Sequence, residues 1–233
     1  MNFKKFIKKK SSFSWFWFLL FILSLIFNPF SSQKTKISDH GILVIGVIDG
    51  DTFVLDGKTR LRLRHLDAPE LEYCGGQESK EFLEDLVLDK KVIVQEKILA
   101  QSGGRPIALV YLDDKLINEE ILRAGMARYH SDKSSQRDVL KQAGNEAKEQ
   151  KLGIYSPKCR QTENLDNPDC LIKGNIDKNS DRTNYYFPGC AQYKFTIVEK
   201  DIGEGWFCTE KEAKAAGFTR SKTCFEKKYN PNP

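Results

Sequence analysis

Short segments in which apolar and polar positions alternate dominate the chain between residues 41 and 112. In residues 59–66, the apolar Leu61 and Leu63 alternate with three arginines, which is the period of a β-strand with one buried face. Similar patterns, interrupted by turns such as Asp49-Gly50-Asp51, predict five strands. These strands are expected at residues 42–48, 52–55, 59–66, 91–98 and 106–112.

Three helices are predicted in the same part of the chain. Residues 78–88 place apolar side chains at helical spacing, and two further helices are expected near residues 116–126 and 134–151. Five strands with a helix between the third and the fourth is the order of a five-stranded Greek-key barrel of the oligonucleotide-binding (OB) type. We therefore predict an α+β fold, in which three helices pack around an OB-fold-like β-barrel.

A cysteine-rich segment follows this predicted barrel. The barrel domain is assigned to residues 41–157, the polar residues 158–168 to a linker, and residues 169–225 to a small α+β accessory module. Within the module, short strands are expected around residues 171–174, 193–198 and 205–207. A capping box of Thr209 and Glu212 predicts the start of a helix, which we expect to end at Gly217.

The N-terminal segment predicts export from the cytoplasm. Residues 11–33 carry no charge, and their apolar centre is long enough to cross a bilayer as a helix. The lysines before it are expected to stay in the cytoplasm, so the rest of the chain is directed outward. Residues 1–33 are therefore interpreted as a transmembrane signal-anchor or a signal peptide. The segment lacks an Ala-x-Ala-like cleavage site, which favours the anchor, although cleavage and secretion stay open.

The net charge of +5 belongs to this N-terminal segment and not to the predicted barrel. The chain has 37 Lys and Arg against 32 Asp and Glu, and five lysines lie within residues 4–10, before any acidic residue. The remainder is formally neutral. Binding of a polyanion must then depend on local geometry or on a metal ion, because no general basic surface exists.

Five residues of the predicted barrel have the chemistry that phosphodiester cleavage requires. A divalent cation held by carboxylates, a carboxylate for the attacking water and guanidinium groups for the phosphate oxygens would stabilise the reaction. Arginine suits the last role because its planar fork meets two oxygens at once. These parts are Asp51, Arg62, Asp67, Glu70 and Arg105.

At these positions the sequence resembles the thermonuclease family, typified by staphylococcal nuclease. The matching strings are Val47-Ile-Asp-Gly-Asp-Thr52, Arg62-Leu-Arg-His-Leu-Asp-Ala-Pro-Glu70, Gly104-Arg105-Pro-Ile-Ala-Leu-Val-Tyr111 and Asn118-Glu-Glu-Ile-Leu-Arg-Ala-Gly-Met-Ala127. The resemblance covers residues 41–157, about half of the chain. Asp-Gly-Asp alone is common, whereas the ordered set of strings is specific.

The resemblance implies a calcium-dependent endonuclease that cuts DNA and RNA. Asp51, Asp67 and the backbone carbonyl of Ala68 would bind Ca²⁺, a hard ion that prefers oxygen ligands. Glu70 would act as the general base, and Arg62 and Arg105 would hold the phosphate and stabilise the transition state. No obligate protein partner is indicated.

One string departs from the family pattern. An Asp-x-Tyr-Gly-Arg string often precedes the second arginine in the family, whereas this chain has Gln101-Ser-Gly-Gly-Arg105. The missing lysine and tyrosine put base stacking there in doubt.

Two other functions remain open from the sequence. The same barrel would serve a non-catalytic module that binds nucleic acid or protein, although that reading predicts the loss of a key carboxylate or arginine, and none is lost. A structural surface protein would rest on the cysteine-rich module alone.

The six cysteines predict three disulfides in an oxidising compartment, with zinc binding as the alternative. Cys74 and Cys159 follow the site loop and the last barrel helix, and are expected to pair. The module resembles one found after such nucleases and, more loosely, the metal-binding front domain of DNA-alkylation-repair proteins. That second resemblance pairs Cys190 with Cys224, which leaves Cys170 and Cys208 to pair across the sheet.

Overall fold

The alternating segments of the sequence form a closed barrel in the computed structural model, which describes residues 41–99, 105–178, 180 and 182–230. The first eight strands are β1 (Ile42–Val47), β2 (Thr52–Leu55), β3 (Thr59–Leu63), β4 (Leu66–Asp67), β5 (Lys91–Leu99), β6 (Pro106–Leu112), β7 (Lys115–Leu116) and β8 (Arg128–Tyr129). Five of them hydrogen-bond in the order β3-β2-β1-β5-β6, and the parallel β3–β6 pairing closes the ring. The prediction of a five-stranded OB-like barrel is confirmed.

Three helices pack against the barrel, as predicted: α1 (Gly76–Val87), α2 (Ile117–Arg123) and α3 (Arg137–Glu149). Their apolar faces and the inward faces of the strands form one core. The fully buried members include Val44, Phe53, Leu83, Val92, Leu109, Ile121 and Leu140.

The predicted third strand ends early because the backbone turns at His65. Its φ of 68° lies in the left-handed region, so β3 stops at Leu63 and the short β4 starts at Leu66. His65 is buried. Arg64 is not a solvated strand residue like Arg60, because the turn buries it and it pairs with Asp132 at 2.6 Å.

The cysteine-rich segment forms a second, smaller core. Its elements are β9 (Arg160–Gln161), β10 (Ile172–Asp177), β11 (Arg182–Tyr186), β12 (Val198–Glu199), β13 (Trp206–Phe207), α4 (Glu210–Ala215) and β14 (Thr219–Arg220), with 3-10 turns at Tyr193–Phe195, Lys200–Ile202 and Lys222–Cys224. The sheet has the order β13-β10-β11-β14, and β12 pairs with β9. The capping box of Thr209 and Glu212 is present at α4.

The sequence was wrong about a strand at residues 193–198 and missed β11. Residues 193–195 form a 3-10 turn, in which Tyr193 packs against the core but Phe195 is 81% exposed, so the alternating apolar positions do not share one buried face. The buried Lys173 donates its Nζ to the carbonyls of Tyr193 and Thr196, which satisfies acceptors that a strand would use.

All six cysteines are in disulfides with the predicted partners: Cys74–Cys159, Cys170–Cys208 and Cys190–Cys224. Disulfides of this kind are typical of an oxidising compartment. The described residues all belong to one compact unit. The division at residues 158–168 therefore stays a prediction.

The predicted N-terminal membrane segment, residues 1–33, lies outside the described residues. Within the described ranges, none of the helices has the length and apolarity needed to cross a bilayer.

Asn118 links α2 to the barrel from a fully buried position. Its side chain donates to the carbonyls of Arg64 and Ala108 and accepts from the N–H of Val110 at 2.9 Å. Replacement by alanine should lower the free energy of unfolding by roughly 2–4 kcal/mol, because buried backbone groups lose their partners. Urea unfolding measures this. The matched control Asn145→Ala, exposed on α3, should change stability by about 0.5 kcal/mol or less. A similar small loss for Asn118→Ala would contradict the assignment.

Candidate active site

Asp51 is held at the start of β2 by its backbone as well as by its side chain. Its carbonyl accepts from the N–H of Leu63 at 2.8 Å, and its own N–H donates to the Asp49 carboxylate at 3.0 Å. Gly50 lets this turn press against α1, since a Cβ there would lie 2.5 Å from the Cβ of Ser79. The tight Asp-Gly-Asp turn therefore fixes where the Asp51 carboxylate lies.

The Asp51 carboxylate is almost completely buried, with 1% of the residue exposed. It accepts hydrogen bonds from the Thr52 hydroxyl at 2.7 Å and from the Ala68 N–H at 3.0 Å. Burial raises the pKa of Asp51 to about 7, although the positive charge of Arg62 and these hydrogen bonds oppose that rise. This carboxylate is thus costly to ionise without a cation beside it.

Arg62 brings the second carboxylate of the site next to the first. One guanidinium nitrogen lies 2.7 Å from Asp51 Oδ2 and 2.8 Å from Asp67 Oδ1. Asp51 precedes Thr52, which is opposite Arg62 in the β2–β3 ladder, whereas Asp67 ends β4. Two carboxylates from different segments therefore converge on a single positive nitrogen.

Arg105 enters the same cluster at the start of β6. Its guanidinium donates to the Thr52 hydroxyl at 3.3 Å, and that hydroxyl donates to Asp51. The parallel β3–β6 pairing sets Arg62 opposite Ile107, which brings the two arginines to neighbouring strands. Four of the five predicted residues are thus joined, from Arg105 through Asp51 and Arg62 to Asp67, by a continuous chain of polar contacts.

Glu70 lies in the loop after β4 and is less constrained than the other predicted residues. Its side chain is exposed, and its carboxylate has no hydrogen bond or ion pair with the part of the chain that the structure describes. Its carbonyl accepts from the N–H of Tyr73 at 2.9 Å, which shapes the loop. Glu70 is therefore near the cluster in sequence, but none of these contacts fixes its carboxylate.

Two residues beside Asp67 were not identified from the sequence. The Nδ1 of His130 lies 3.3 Å from Asp67 Oδ2, with both side chains more than half exposed. Arg128 is opposite Asp67 in the short β4–β8 ladder. Each is about 60 positions away along the chain, so no local pattern connects it to the site.

The oxygen atoms of this cluster suit a hard divalent cation. Carboxylates of Asp51 and Asp67, together with the carbonyl of Ala68, are the oxygen ligands that such ions prefer. The positively charged guanidinium of Arg62 already lies between the two carboxylates. Across the ranges that the structure describes, no three or more His, Cys, Asp or Glu side chains cluster as a metal site. The two carboxylates would then need backbone or water oxygens to complete the shell.

A protein-family model matches the part of the chain that holds most of this cluster. The family model described as "Staphylococcal nuclease homologue" matches residues 60–157, which include Arg62, Asp67, Glu70 and Arg105. Asp51 lies just before the matched range.

Three relatives whose names denote nucleases match this chain over 125 to 146 residues. An "Uncharacterized endonuclease" of Escherichia coli O157:H7 is 36% identical over 125 residues, which is 50% of this chain and 77% of that protein. A protein of that name from Haemophilus influenzae is 32% identical over 146 residues, 59% of this chain and 78% of that protein. A "Thermonuclease" of Staphylococcus intermedius is 27% identical over 140 residues, 55% of this chain and 83% of that protein.

The burial of Asp51 predicts a pH-dependent stability for the metal-free protein. Since the pKa of this carboxyl is raised above its ordinary 3.8, ionisation disfavours the folded state, and its contribution to stability is lost as pH rises from about 4 through about 7. The parent should therefore lose stability relative to Asp51→Asn over this range, by about 1.4 kcal/mol per unit of pKa difference. Urea unfolding in chelator at pH 4, 6 and 8 measures the difference.

The control for this series is Asp85→Asn, an exposed carboxylate on α1. Its stability should run parallel to that of the parent across the pH range. A gap between parent and Asp51→Asn that stays constant from pH 4 to pH 8 would contradict the prediction.

Proposed function

Because the chain belongs to the staphylococcal nuclease family, and is therefore a nuclease that hydrolyses phosphodiester bonds, we propose that it is a calcium-dependent endonuclease acting on both DNA and RNA outside the cytoplasm. The observation that carries this proposal is the convergence of Asp51 and Asp67 around the positive charge of Arg62. The barrel fold alone would not require a buried carboxylate in this group, because burying a charge is costly.

Calcium would be held by the carboxylates of Asp51 and Asp67 and by the carbonyl of Ala68. Bound there, it would supply positive charge against the negative charge that develops on the phosphate oxygens in the transition state. The Ala68 N–H already donates to Asp51, so a hydrogen bond joins the loop after β4 to the turn before β2. This coupling keeps the three proposed ligands together.

Arg62 and Arg105 are the groups that would hold the phosphate. Arg62 is 27% exposed at its side chain and pairs with both carboxylates in this structure, so it is the internal counter-ion of the site. Its guanidinium would turn to the phosphate oxygens when the carboxylates hold calcium. Arg105 is exposed, and within the described part of the chain its guanidinium makes a single hydrogen bond, of 3.3 Å to the Thr52 hydroxyl, which leaves most of its donors available there.

Glu70 would take the proton from the attacking water or orient that water. Its side chain is exposed, and its carboxylate has no hydrogen bond or ion pair with the described residues. Both features suit a group that contacts solvent directly. Catalytic hydrogen bonds often tighten only when substrate is bound, so the open position of Glu70 is compatible with this role.

Export is supported by the three disulfides, which suit an oxidising compartment. The N-terminal segment of residues 1–33 would direct the chain outward, and either tether it to the membrane or be cleaved.

Cleavage should depend on calcium. The purified chain should cut plasmid DNA and a single-stranded RNA with calcium and lose this activity in excess chelator. Asp51→Ala and Asp67→Ala should abolish cleavage because they remove charge that holds the ion, whereas Asp85→Ala should match the parent. Magnesium should support little cutting, since it demands a tighter octahedral shell. Undiminished cleavage in chelator would exclude the proposed calcium role.

Lysine should not replace either arginine. Arg62→Lys and Arg105→Lys keep the charge but lose the bidentate fork, and transition-state groups of this type contribute about 10²–10³ in rate. Single-turnover cleavage should therefore slow by that order. Arg60→Lys, an exposed neighbour on β3, is the matched control and should stay within about threefold of the parent. The assigned roles fail if the site variants behave like this control.

A further inference from the structure

The 3-10 turn Lys200–Ile202, here called the Asp201 turn, belongs to the cysteine-rich part of the chain but packs against the barrel. The carbonyl of Lys200 accepts from the N–H of Cys74 at 3.3 Å, and the N–H of Lys200 donates to the carbonyl of Cys159 at 2.8 Å. Cys74 and Cys159 are themselves joined by a disulfide. The turn is therefore bound to the end of the site loop, defined here as residues 67–76.

A close backbone approach extends this contact. Gly203 follows the turn with a φ of 86°, and a Cβ there would lie 2.9 Å from the ring and hydroxyl of Tyr73. Only glycine fits this position without strain. Both ends of the Asp201 turn thus touch the site loop.

Asp201 itself makes the strongest polar contact between the two parts. Its side chain is 1% exposed and accepts from both arms of the Arg128 guanidinium, from Nε at 2.6 Å and from a terminal nitrogen at 2.8 Å. Glu199 adds a second carboxylate 3.5 Å from the same arginine. A bidentate pair of this kind fixes the plane as well as the position of the guanidinium.

Arg128 connects this ion pair to the active site. It is the residue opposite Asp67 in the β4–β8 ladder, which has only two residue pairs. Asp67 is 54% exposed at its side chain, so little packing holds it. The backbone position of Asp67 therefore depends strongly on what holds β8 in place.

We propose that Asp201 is a positioning residue of the active site, which acts through Arg128 to hold β8 and thereby Asp67 in register with Asp51. This inference rests on the proposed function, since it concerns the same pair of carboxylates. It makes the cysteine-rich part a component of the nuclease site. A role in stability alone would predict lower melting temperature without any local change at the site loop.

The test compares two charge-removing variants of the full chain. Asp201→Asn removes the bidentate pair, whereas Glu210→Gln removes a carboxylate whose partners, Tyr185 and Arg220, both lie in the cysteine-rich part. Hydrogen–deuterium exchange of peptides covering residues 66–76, without calcium, should be faster in Asp201→Asn and unchanged in Glu210→Gln. Calorimetric titration should show the Kd for calcium raised about 10–100-fold in Asp201→Asn only, which is the size of effect seen when groups that orient metal ligands are removed.

A milder variant separates the positioning effect from a general loss of folding. Arg128→Lys keeps the charge but loses the fork, and it should also speed exchange at residues 66–76 at temperatures well below its melting transition. Exchange and calcium affinity equal to those of the parent in both variants, with only a lower melting temperature, would overturn the positioning role. If the parent itself binds no calcium, the proposed function fails, while the exchange measurement still decides whether Asp201 holds the site loop.

Discussion

The buried charge of Asp51 is the constraint on which the rest of the site depends. A carboxylate taken out of water is costly unless cations and hydrogen bonds compensate it. Here that compensation comes from the adjacent Thr52 at the start of β2, from Arg62 on β3 and from the Ala68 N–H in a loop. The strand register and the loop position must both be correct for this one group. Closure of the barrel also contributes to this compensation. The parallel pairing of β3 with β6 places Arg105 within hydrogen-bonding distance of the Thr52 hydroxyl.

The sequence was sufficient for the features that are encoded locally. Strand alternation predicted the barrel strands, helical spacing predicted α1 to α3, and the ordered strings around Asp51, Arg62 and Arg105 predicted a cluster that the structure brings together. Glu70 could be proposed only from its place in a string, because the role proposed for it depends on a substrate and not on contacts within the chain. The cysteine pairs followed from position and resemblance, and the structure contains them.

The features that the sequence could not predict come from distant segments or from backbone geometry. Neither His130 nor Asp201 lies near Asp67 in the chain, so no periodicity connects them to the site. The early end of β3 depends on a left-handed residue, His65, whose type does not usually signal a turn. Apolar alternation at residues 193–198 was misleading because the side chain of Lys173 takes the carbonyls that would have paired in a sheet.

Under the proposed function, Asp51 and Asp67 share an ion, and two such carboxylates repel each other when the ion is absent. The site must then be held together by other forces. Arg62 supplies one of them as an internal counter-ion between Asp51 and Asp67. The Cys74–Cys159 disulfide closes the end of the site loop covalently, and the Asp201–Arg128 pair holds the strand beside Asp67. These constraints act on different atoms, so none replaces another. Preorganisation of this kind lowers the free-energy cost of binding an ion. The repulsion between the two carboxylates is overcome during folding and not at the moment of binding.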